Sequence, residues 1–166
     1  IKNLKIKRLI KFDIKNIKQL GSDRIANSIC LDKKINHLII DFGTATTFDI
    51  IKKNKYLGGV IAPGINLSIK NLNKFTALLP LIDLKDKQNS YGKNTKDAMN
   101  AGFLWGYEGL VNNIINKIIK KTKTRYKIIL TGGHAYLFRK FIKHKTRIDQ
   151  NITIKGVAEI YKKLLV

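Results

Sequence analysis

The sequence predicts an α/β domain in which a sheet is covered by helices. Three short apolar runs, 37–40, 47–51 and 56–61, are separated by polar turns and have the composition of β-strands. Apolar residues then recur at helical spacing in 65–75, and a longer helical segment covers about 96–121. Strands that are followed by amphipathic helices along the chain are typical of a layered α/β domain.

The first three runs are predicted to form an antiparallel meander. His37–Ile40 and Thr47–Ile51 flank a short polar segment, and Lys53-Asn54-Lys55 supplies the turn before Tyr56–Ile61. Pro63-Gly64 then interrupts the strand pattern, and the first helix is expected to follow it.

The long predicted helix begins at a capping sequence. Asn94-Thr95 can cap it, and the charge of Asp97 is favourable in the first turn, near the positive end of the helix dipole. Gly102, Gly106 and Gly109 fall on one face, where the absence of side chains lets another backbone come close. We expect this stripe to pack against a helix or a subunit rather than to touch a ligand.

The last third of the chain predicts one more strand and two more helices. Residues 126–130 have strand character, Thr131-Gly132-Gly133 follows as a turn, and a helix is expected from 134 to about 143. The last helix is predicted at about 153–165. Its apolar side is expected to carry Val157, Ile160, Tyr161 and Leu164.

The segment between the first two strands is a candidate phosphate site. Asp41 ends a buried strand, where its carboxylate can hold a cation or the water around one. Gly43 allows unusual backbone geometry, while Thr44 and its neighbouring threonines add hydroxyl groups. The alternative is an ordinary threonine-rich hairpin, because threonine favours strands and aspartate favours turns.

Two other segments carry candidate site residues. Gly132-Gly133 lies between a strand and a helix, where glycine permits close approach to a nucleotide, although such turns also occur without a ligand. Gly21-Ser22-Asp23-Arg24 begins a predicted helix. Asp23 can act there as a general base and Arg24 as an anion ligand, or both can be ordinary charges at a helix start.

The formal net charge of +22 raises the question of a nucleic-acid partner. The lysines are spread along the whole chain, and their frequent companions are Ile and Asn, which share AT-rich codons with Lys. Genome composition therefore explains the charge better than nucleic-acid binding does. No uncharged apolar run approaches the roughly 20 residues that cross a bilayer. The lone Cys30 and the charged segment 1–14 predict a cytoplasmic protein without an export signal.

Taken together, five segments resemble the type III pantothenate kinases, which belong to the acetate and sugar kinase/Hsp70/actin superfamily. The matching segments, in chain order, are 21–27, 41–49, 56–64, 92–95 and 131–133. The resemblance implies a ribonuclease H-like (actin-like ATPase) domain, the second half of a two-domain kinase. It also implies ATP-dependent phosphorylation of pantothenate, the first step of coenzyme A biosynthesis.

The resemblance also implies roles for particular residues. Asp23 corresponds to the proton acceptor, and Gly21, Ser22, Asp23 and Arg24 to the pantothenate-binding segment, with Ser22 standing where alanine is usual. Asp41 corresponds to the ligand of a monovalent cation, K⁺ or NH₄⁺. Thr44 corresponds to an ATP phosphate contact, Thr95 to a pantothenate contact, and Gly132 with Gly133 to the adenosine-side turn. ATP is expected to bind with Mg²⁺.

The family's first domain, with its own phosphate loop, has no counterpart in the sequence. Residues 1–34 are therefore expected to be a remnant of that domain with a connecting helix, and 35–166 the second domain. An alternative is a non-catalytic remnant that binds pantothenate and no longer holds ATP. Family members are homodimers, so the glycine stripe of the long helix is a candidate dimer face.

Overall fold

The computed structural model describes residues 5–86 and 90–164, and its centre is a six-stranded mixed sheet. The strands are β1 (Lys11–Phe12), β2 (His37–Phe42), β3 (Ala45–Lys52), β4 (Lys55–Pro63), β5 (Lys127–Thr131) and β6 (Thr146–Ile148). They are arranged in the order β1-β4-β3-β2-β5-β6. The predicted α/β class is therefore confirmed.

Five helices of the described residues accompany the sheet. They are α1 (Ser22–Ile29), α2 (Ile65–Lys74), α3 (Thr95–Thr122), α4 (Ala135–Arg139) and α5 (Ile152–Leu164). Short 3-10 turns at Ile6–Arg8 and Ile17–Gln19 precede α1. Within 5–86 and 90–164, no helix is long and apolar enough to cross a membrane.

The strand pairing combines a meander with parallel additions on both sides. β2, β3 and β4 pair antiparallel in chain order, as predicted from their turns. β5 lies parallel to β2 on its free side, and β6 lies parallel to β5. β1 adds a short parallel edge beside β4. The ends of β2 and β5 therefore meet at the same edge of the sheet.

The sheet is covered on both faces, because its side chains alternate between two apolar clusters. Leu38, Ile40 and Phe48 face a cluster that includes α2, α3 and α4. Ile39 and Ile129 face a second cluster, which includes α1, α5 and the segment before α1. Side chains an even number of positions from Ile39 on β2 therefore lie on the face that α1 and α5 cover.

Three local predictions differ from the structure. The helix after Gly133 ends at Arg139 instead of about 143, because the side chain of Asn112 on α3 bonds backbone groups of Phe141 and Lys143. The edge strands β1 and β6 were not predicted. The buried side of α5 also differs, since Val157 and Tyr161 are 40% and 58% exposed while Ile152, Gly156 and Ile160 are buried.

The proposed division at residues 34 and 35 stays a prediction. β1 pairs with β4 in the common sheet, and α1 packs directly on α5. A Cβ atom at Gly156 would overlap the backbone carbonyl of Ala26. The two helices therefore lie closer together than a side chain at position 156 would allow. The described residues before 35 are thus packed against those after it.

Candidate active site

Asp41 and Thr131 are register partners at the carboxyl ends of β2 and β5. Gly132 follows with a φ of 85°, a conformation that glycine adopts readily. A Cβ atom at Gly132 would lie 2.6 Å from the carbonyl carbon of Phe42 and 2.7 Å from its nitrogen. The candidate phosphate segment and the Gly132-Gly133 turn therefore lie side by side.

Thr44 lies in the tight turn between β2 and β3. The turn consists of Gly43 and Thr44, and the amide of Gly43 donates to the carbonyl of Ala45 at 3.1 Å. Behind the turn, Gly64 packs against the backbone carbonyl of Thr44. Both turn residues are exposed to solvent, so the hairpin is closely packed on one side and open at its tip.

Asp23 and Arg24 lie in the first turn of α1, on the same face of the sheet as Asp41. The carboxylate of Asp23 folds back over Gly21, where a Cβ atom would overlap it. Asp23 is exposed, as is Ser22. Its charge is nevertheless close enough to Asp41 to raise the pKa of that carboxyl group. The fold thus brings together two acids that are 18 positions apart in sequence.

Arg24 forms a buried ion pair that was not predicted from the sequence. Its Nε lies 2.7 Å and its Nη2 2.6 Å from Oδ1 of Asp49, which is fully buried on β3. The hydroxyl group of Tyr56 donates to the same oxygen at 2.6 Å. Gly59, the register partner of Asp49, leaves room for the guanidinium, because a Cβ atom there would overlap Nη2. Asp49, Tyr56 and Gly59 therefore fix the position of Arg24.

The sequence carried one signal for this arrangement. Asp49 lies between Phe48 and Ile50 in a strand that is otherwise apolar at this end. An acid on a buried strand needs a partner, because an unpaired charge is strongly disfavoured in the core. The signal identifies Asp49 as unusual, but it does not identify Arg24 as its partner.

Burial and like charges determine the electrostatics of this edge. Burial, together with the nearby carboxylates of Asp23 and Asp49, raises the pKa of Asp41 to about 6. Burial also raises the pKa of Asp49, while the hydrogen bonds from Arg24 and Tyr56 oppose that rise. Burial acts to lower the pKa of Arg24, but the hydrogen bond to Asp49 and the surrounding negative charges together outweigh it, and the pKa is raised. A cation next to Asp41 would stabilise its charged form.

The guanidinium of Arg24 also borders an open groove. The groove has a volume of about 190 Å³, and its walls include Gln19, Leu20, Gly58 and Ile61. Arg24 therefore contacts Asp49 and also lines a groove that is open to solvent. The side chain of Arg24 is only 11% exposed, so its position is defined before any ligand binds.

Thr95 lies elsewhere on the surface, at the start of α3. Asn94 caps this helix as predicted, since its Oδ1 accepts from the amide of Asp97 at 3.0 Å. Thr95 is exposed and borders an apolar groove of about 390 Å³ together with Leu72, Met99 and Phe103. Among the described residues, the lining of this groove includes no other predicted site residue.

Sequence comparison relates the chain to kinases. A family profile described as type III pantothenate kinase matches residues 1–117. A type III pantothenate kinase from Pelagibacter ubique (strain HTCC1062) is 51% identical over 158 residues, which cover 95% of this chain and 63% of the relative. A second one, from Dictyoglomus turgidum, is 39% identical, with 96% of this chain and 64% of the relative covered. The chain thus spans about three fifths of the length of these curated relatives.

Structural comparison agrees with the fold. A crystal structure described as a Baf family transcriptional activator from Campylobacter jejuni superposes with a TM-score of 0.68 at 25% identity, covering 95% of this chain and 71% of that one. The Alp12 filament structure gives a TM-score of 0.57 at 18% identity, with 87% and 51% covered. Since Alp12 has the actin-like ATPase fold, the expected ribonuclease H-like fold class is confirmed.

Proposed function

Because this chain belongs to the type III pantothenate kinase family, we propose that it takes part in the transfer of the γ-phosphate of ATP to the primary hydroxyl group of pantothenate. This reaction is the first step of coenzyme A biosynthesis. The observation that best supports the proposal is the meeting of Asp23, Asp41 and Gly132 at one edge of the sheet. Phosphoryl transfer mainly requires positioned and charged groups of this kind.

Asp23 is proposed to accept the proton of the pantothenate hydroxyl group. It is exposed at the start of α1, so a substrate can reach its carboxylate. Neighbouring Gly21, Ser22 and Arg24 are proposed to hold the substrate, with the guanidinium of Arg24 binding its carboxylate. Asp49 and Tyr56 keep that guanidinium in place.

Asp41 is proposed to bind the monovalent cation, K⁺ or NH₄⁺. Three carboxylates close to a single guanidinium leave an excess of negative charge at this edge, which fits a bound cation. Such cations, together with the Mg²⁺ that accompanies ATP, neutralise phosphate charge. The hydroxyl group of Thr44, at the open hairpin tip, is proposed to contact the phosphates, and Gly132 with Gly133 to contact adenosine.

A homodimer is part of the same proposal. Gly102, Gly106 and Gly109 are exposed on α3, and a Cβ atom at any of them would meet nothing within 4 Å in the single chain. Trp105, on the same helix, is 47% exposed. A second copy would cover this face, and Thr95 at the start of the same helix is proposed to reach pantothenate. The enzyme is proposed to act in the cytoplasm.

The deciding experiment measures formation of 4'-phosphopantothenate from ATP and pantothenate. It uses this chain and a version extended upstream to the length of its relatives, each in potassium chloride and in tetramethylammonium chloride. We expect potassium-dependent turnover by the extended version, and a decrease in kcat of about 10²–10⁴-fold in Asp23→Asn. Asp32→Asn, at an exposed acid in the loop after α1, is the matched control and should leave kcat unchanged.

Two results would contradict the proposal. One is an extended version that forms no product, and the other is an Asp23→Asn variant with the wild-type rate. Pantothenate binding in a calorimeter without turnover would instead support the non-catalytic alternative.

A further inference from the structure

A cavity lies far from Asp41, at the opposite edge of the sheet. It has a volume of about 600 Å³ and lies where β2, β5 and β6 begin, beside the loop that follows α1. Asp41 and Thr131 lie at the far ends of two strands that start here. This volume falls within the range of about 300–1,000 Å³ that is usual for small-molecule sites. The residues discussed for kinase chemistry do not line it.

The rim of this cavity is basic. Lys127, Lys145 and Arg147 line it, and all three are exposed. Asp32 is the acid among the lining residues, and its Oδ1 already accepts from the amide of Lys34 at 2.9 Å. Arg147 has a long contact of 3.5 Å to Asp149 and remains 70% exposed. The rim therefore carries an excess of positive charge that is available to an anion.

The strand topology concentrates further lysines at this edge. The loop before β2, the turn between β3 and β4, and the end of α3 all lie here, because these strands start or end together. They contribute Lys33, Lys34, Lys52, Lys53, Lys120, Lys121 and Lys123. Lysines that are evenly spread in the sequence thus lie at the same edge of the sheet as this cavity.

The inside of the cavity is largely apolar. Leu31 and Ile35 line it from the loop after α1, while Ile128 and Ile129 line it from β5. Such a surface favours a hydrocarbon group over a fully hydrated ion. The cavity therefore suits a molecule with an anionic end and an apolar body.

Two lining side chains have buried polar atoms without a hydrogen-bond partner within 5–86 and 90–164. They are Nδ1 of His37 and the hydroxyl group of Tyr126. Nε2 of His37 lies 3.3 Å from the carbonyl of Asp32, which can only accept, so Nε2 carries the hydrogen. Burial lowers the pKa of His37 and so favours the neutral ring, in which Nδ1 is an acceptor. Buried polar atoms without partners are rare in folded proteins, and a bound water or ligand in the cavity would account for these two.

We propose that this cavity binds a small organic anion, with its charged group on Lys127, Lys145 and Arg147 and its apolar body between Leu31, Ile35 and Ile129. The site is separate from the proposed kinase site, so either can fail without the other. Phosphate, sulfonate and carboxylate groups can each serve as the charged group, because each can bind these basic side chains.

The test uses three probes that share parts of this chemistry: hexyl phosphate, hexanol and inorganic phosphate. Binding to the ¹⁵N-labelled chain is followed by amide chemical shifts. We expect hexyl phosphate to bind about tenfold more tightly than either other probe, with the largest shifts in 126–130 and 145–147. Equal affinity for hexyl phosphate and inorganic phosphate would overturn the proposal, since it would place binding on the rim alone. Equal affinity for hexyl phosphate and hexanol would also overturn it, since the charged group would then contribute nothing to binding.

Paired variants locate the binding. Lys145→Gln combined with Arg147→Gln should weaken hexyl phosphate about fivefold or more and leave hexanol unchanged. Lys120→Gln combined with Lys121→Gln removes the same charge from the end of α3 and should change the affinity less than about twofold. An equal loss of affinity for hexyl phosphate in both double variants would overturn the assignment, because general electrostatic attraction to the positively charged chain would then explain the binding.

A space-filling variant provides a second check. Ile35→Trp should occupy the cavity and abolish binding, while Ile61→Trp, at a position 64% exposed on β4, should not. The amide spectrum of each variant shows whether it is folded. If Ile35→Trp does not fold, the charge variants decide the outcome. Unchanged binding in a folded Ile35→Trp variant would overturn the proposal.

Discussion

Arg24 of α1 and Asp49 of β3 form a buried ion pair in which Nε and Nη2 lie 2.7 and 2.6 Å from the same carboxylate oxygen. Tyr56 donates to that oxygen as well, at 2.6 Å. The second oxygen of Asp49 has no hydrogen-bond partner within the described part of the chain. The pair thus joins the helix that carries Asp23 to the centre of the sheet.

Replacing Asp49 by asparagine should strongly destabilise the chain. Asp49→Asn removes the charge that compensates the buried guanidinium of Arg24, and breaking such a pair costs about 3–5 kcal/mol. Urea unfolding at neutral pH measures the change. The control is Lys55→Gln, which breaks an exposed ion pair with Asp13 and should cost less than about 1 kcal/mol. Equal effects of the two variants would contradict the role of the buried pair.

A methyl group at Gly59 should disturb both the sheet and Arg24. The added Cβ would overlap the carbonyl of Phe48 and Nη2 of Arg24, so Gly59→Ala should destabilise the chain by about 2 kcal/mol. Gly106→Ala is the matched control, because its Cβ would meet nothing within 4 Å and alanine favours a helix by about 0.5–1 kcal/mol. The two variants should therefore shift the unfolding midpoint in opposite directions. A neutral Gly59→Ala would show that β4 can move away from Arg24 at little cost.

The stability effect of Asp41 should depend on pH. Its pKa is about 6 in the folded chain and near the ordinary 3.8 when unfolded. Between these two pKa values the folded state keeps a proton that the unfolded state has released. The favourable contribution of the protonated Asp41 to the free energy of unfolding is therefore complete below about pH 4, and it is lost as the pH rises through 6. Asp41→Asn should therefore be more stable than the wild type by about 2 kcal/mol at pH 7.5 and nearly equal to it at pH 4. Thermal unfolding across this range measures the difference, and a constant difference would contradict the assignment.

The wild type and Asp41→Asn also allow a test of potassium binding. If Asp41 binds the cation, potassium chloride at pH 7.5 should raise the melting temperature of the wild type more than that of Asp41→Asn. Tetramethylammonium chloride at the same concentration controls for ionic strength. Equal effects of both salts on the wild type would argue against a cation at Asp41.

The exposed face of α3 should control self-association. Gly106→Leu fits within a single chain, because nothing lies within 4 Å of the added Cβ, but it would prevent close approach of a second copy. Sedimentation velocity should show a weaker dimer with unchanged helix content. Lys120→Leu places the same side chain on this face beyond the glycines and should leave association intact. A monomeric wild type would contradict the proposed dimer.

Local patterns in the sequence were sufficient to predict the meander, the long helix and the strand before Gly132. The edge strands were not predictable in this way, because β1 and β6 contain two and three residues and form only where a longer strand pairs with them. The end of α4 likewise depends on Asn112, a side chain from another helix.

The orientation of α5 shows why apolar spacing alone was misleading. A search for large apolar residues selects Val157 and Tyr161, which are exposed. The helix instead turns Gly156 toward α1, because only the smallest residue allows the backbone of Ala26 to come so close. Shape, rather than hydrophobicity, determines this interface, and its partner lies 130 positions earlier in the sequence.

The candidate site was predicted only in part for a similar reason. Strand ends and glycine turns pointed to Asp41, Thr44 and Gly132, because those signals are local. The support that Asp49 and Tyr56 give to Arg24 depends on the placement of α1 over β3, which no local pattern contains.

The contact between α1 and α5 also has a consequence for synthesis on the ribosome. Thr153 donates to the buried side chain of Asn27 at 2.7 Å, across 126 positions of the chain. While translation proceeds, the side of α1 that packs on α5 has no cover until α5 has left the exit tunnel. Until then that side of α1 is exposed on the nascent chain, and a chaperone that shields this short stretch would have its greatest effect in that interval.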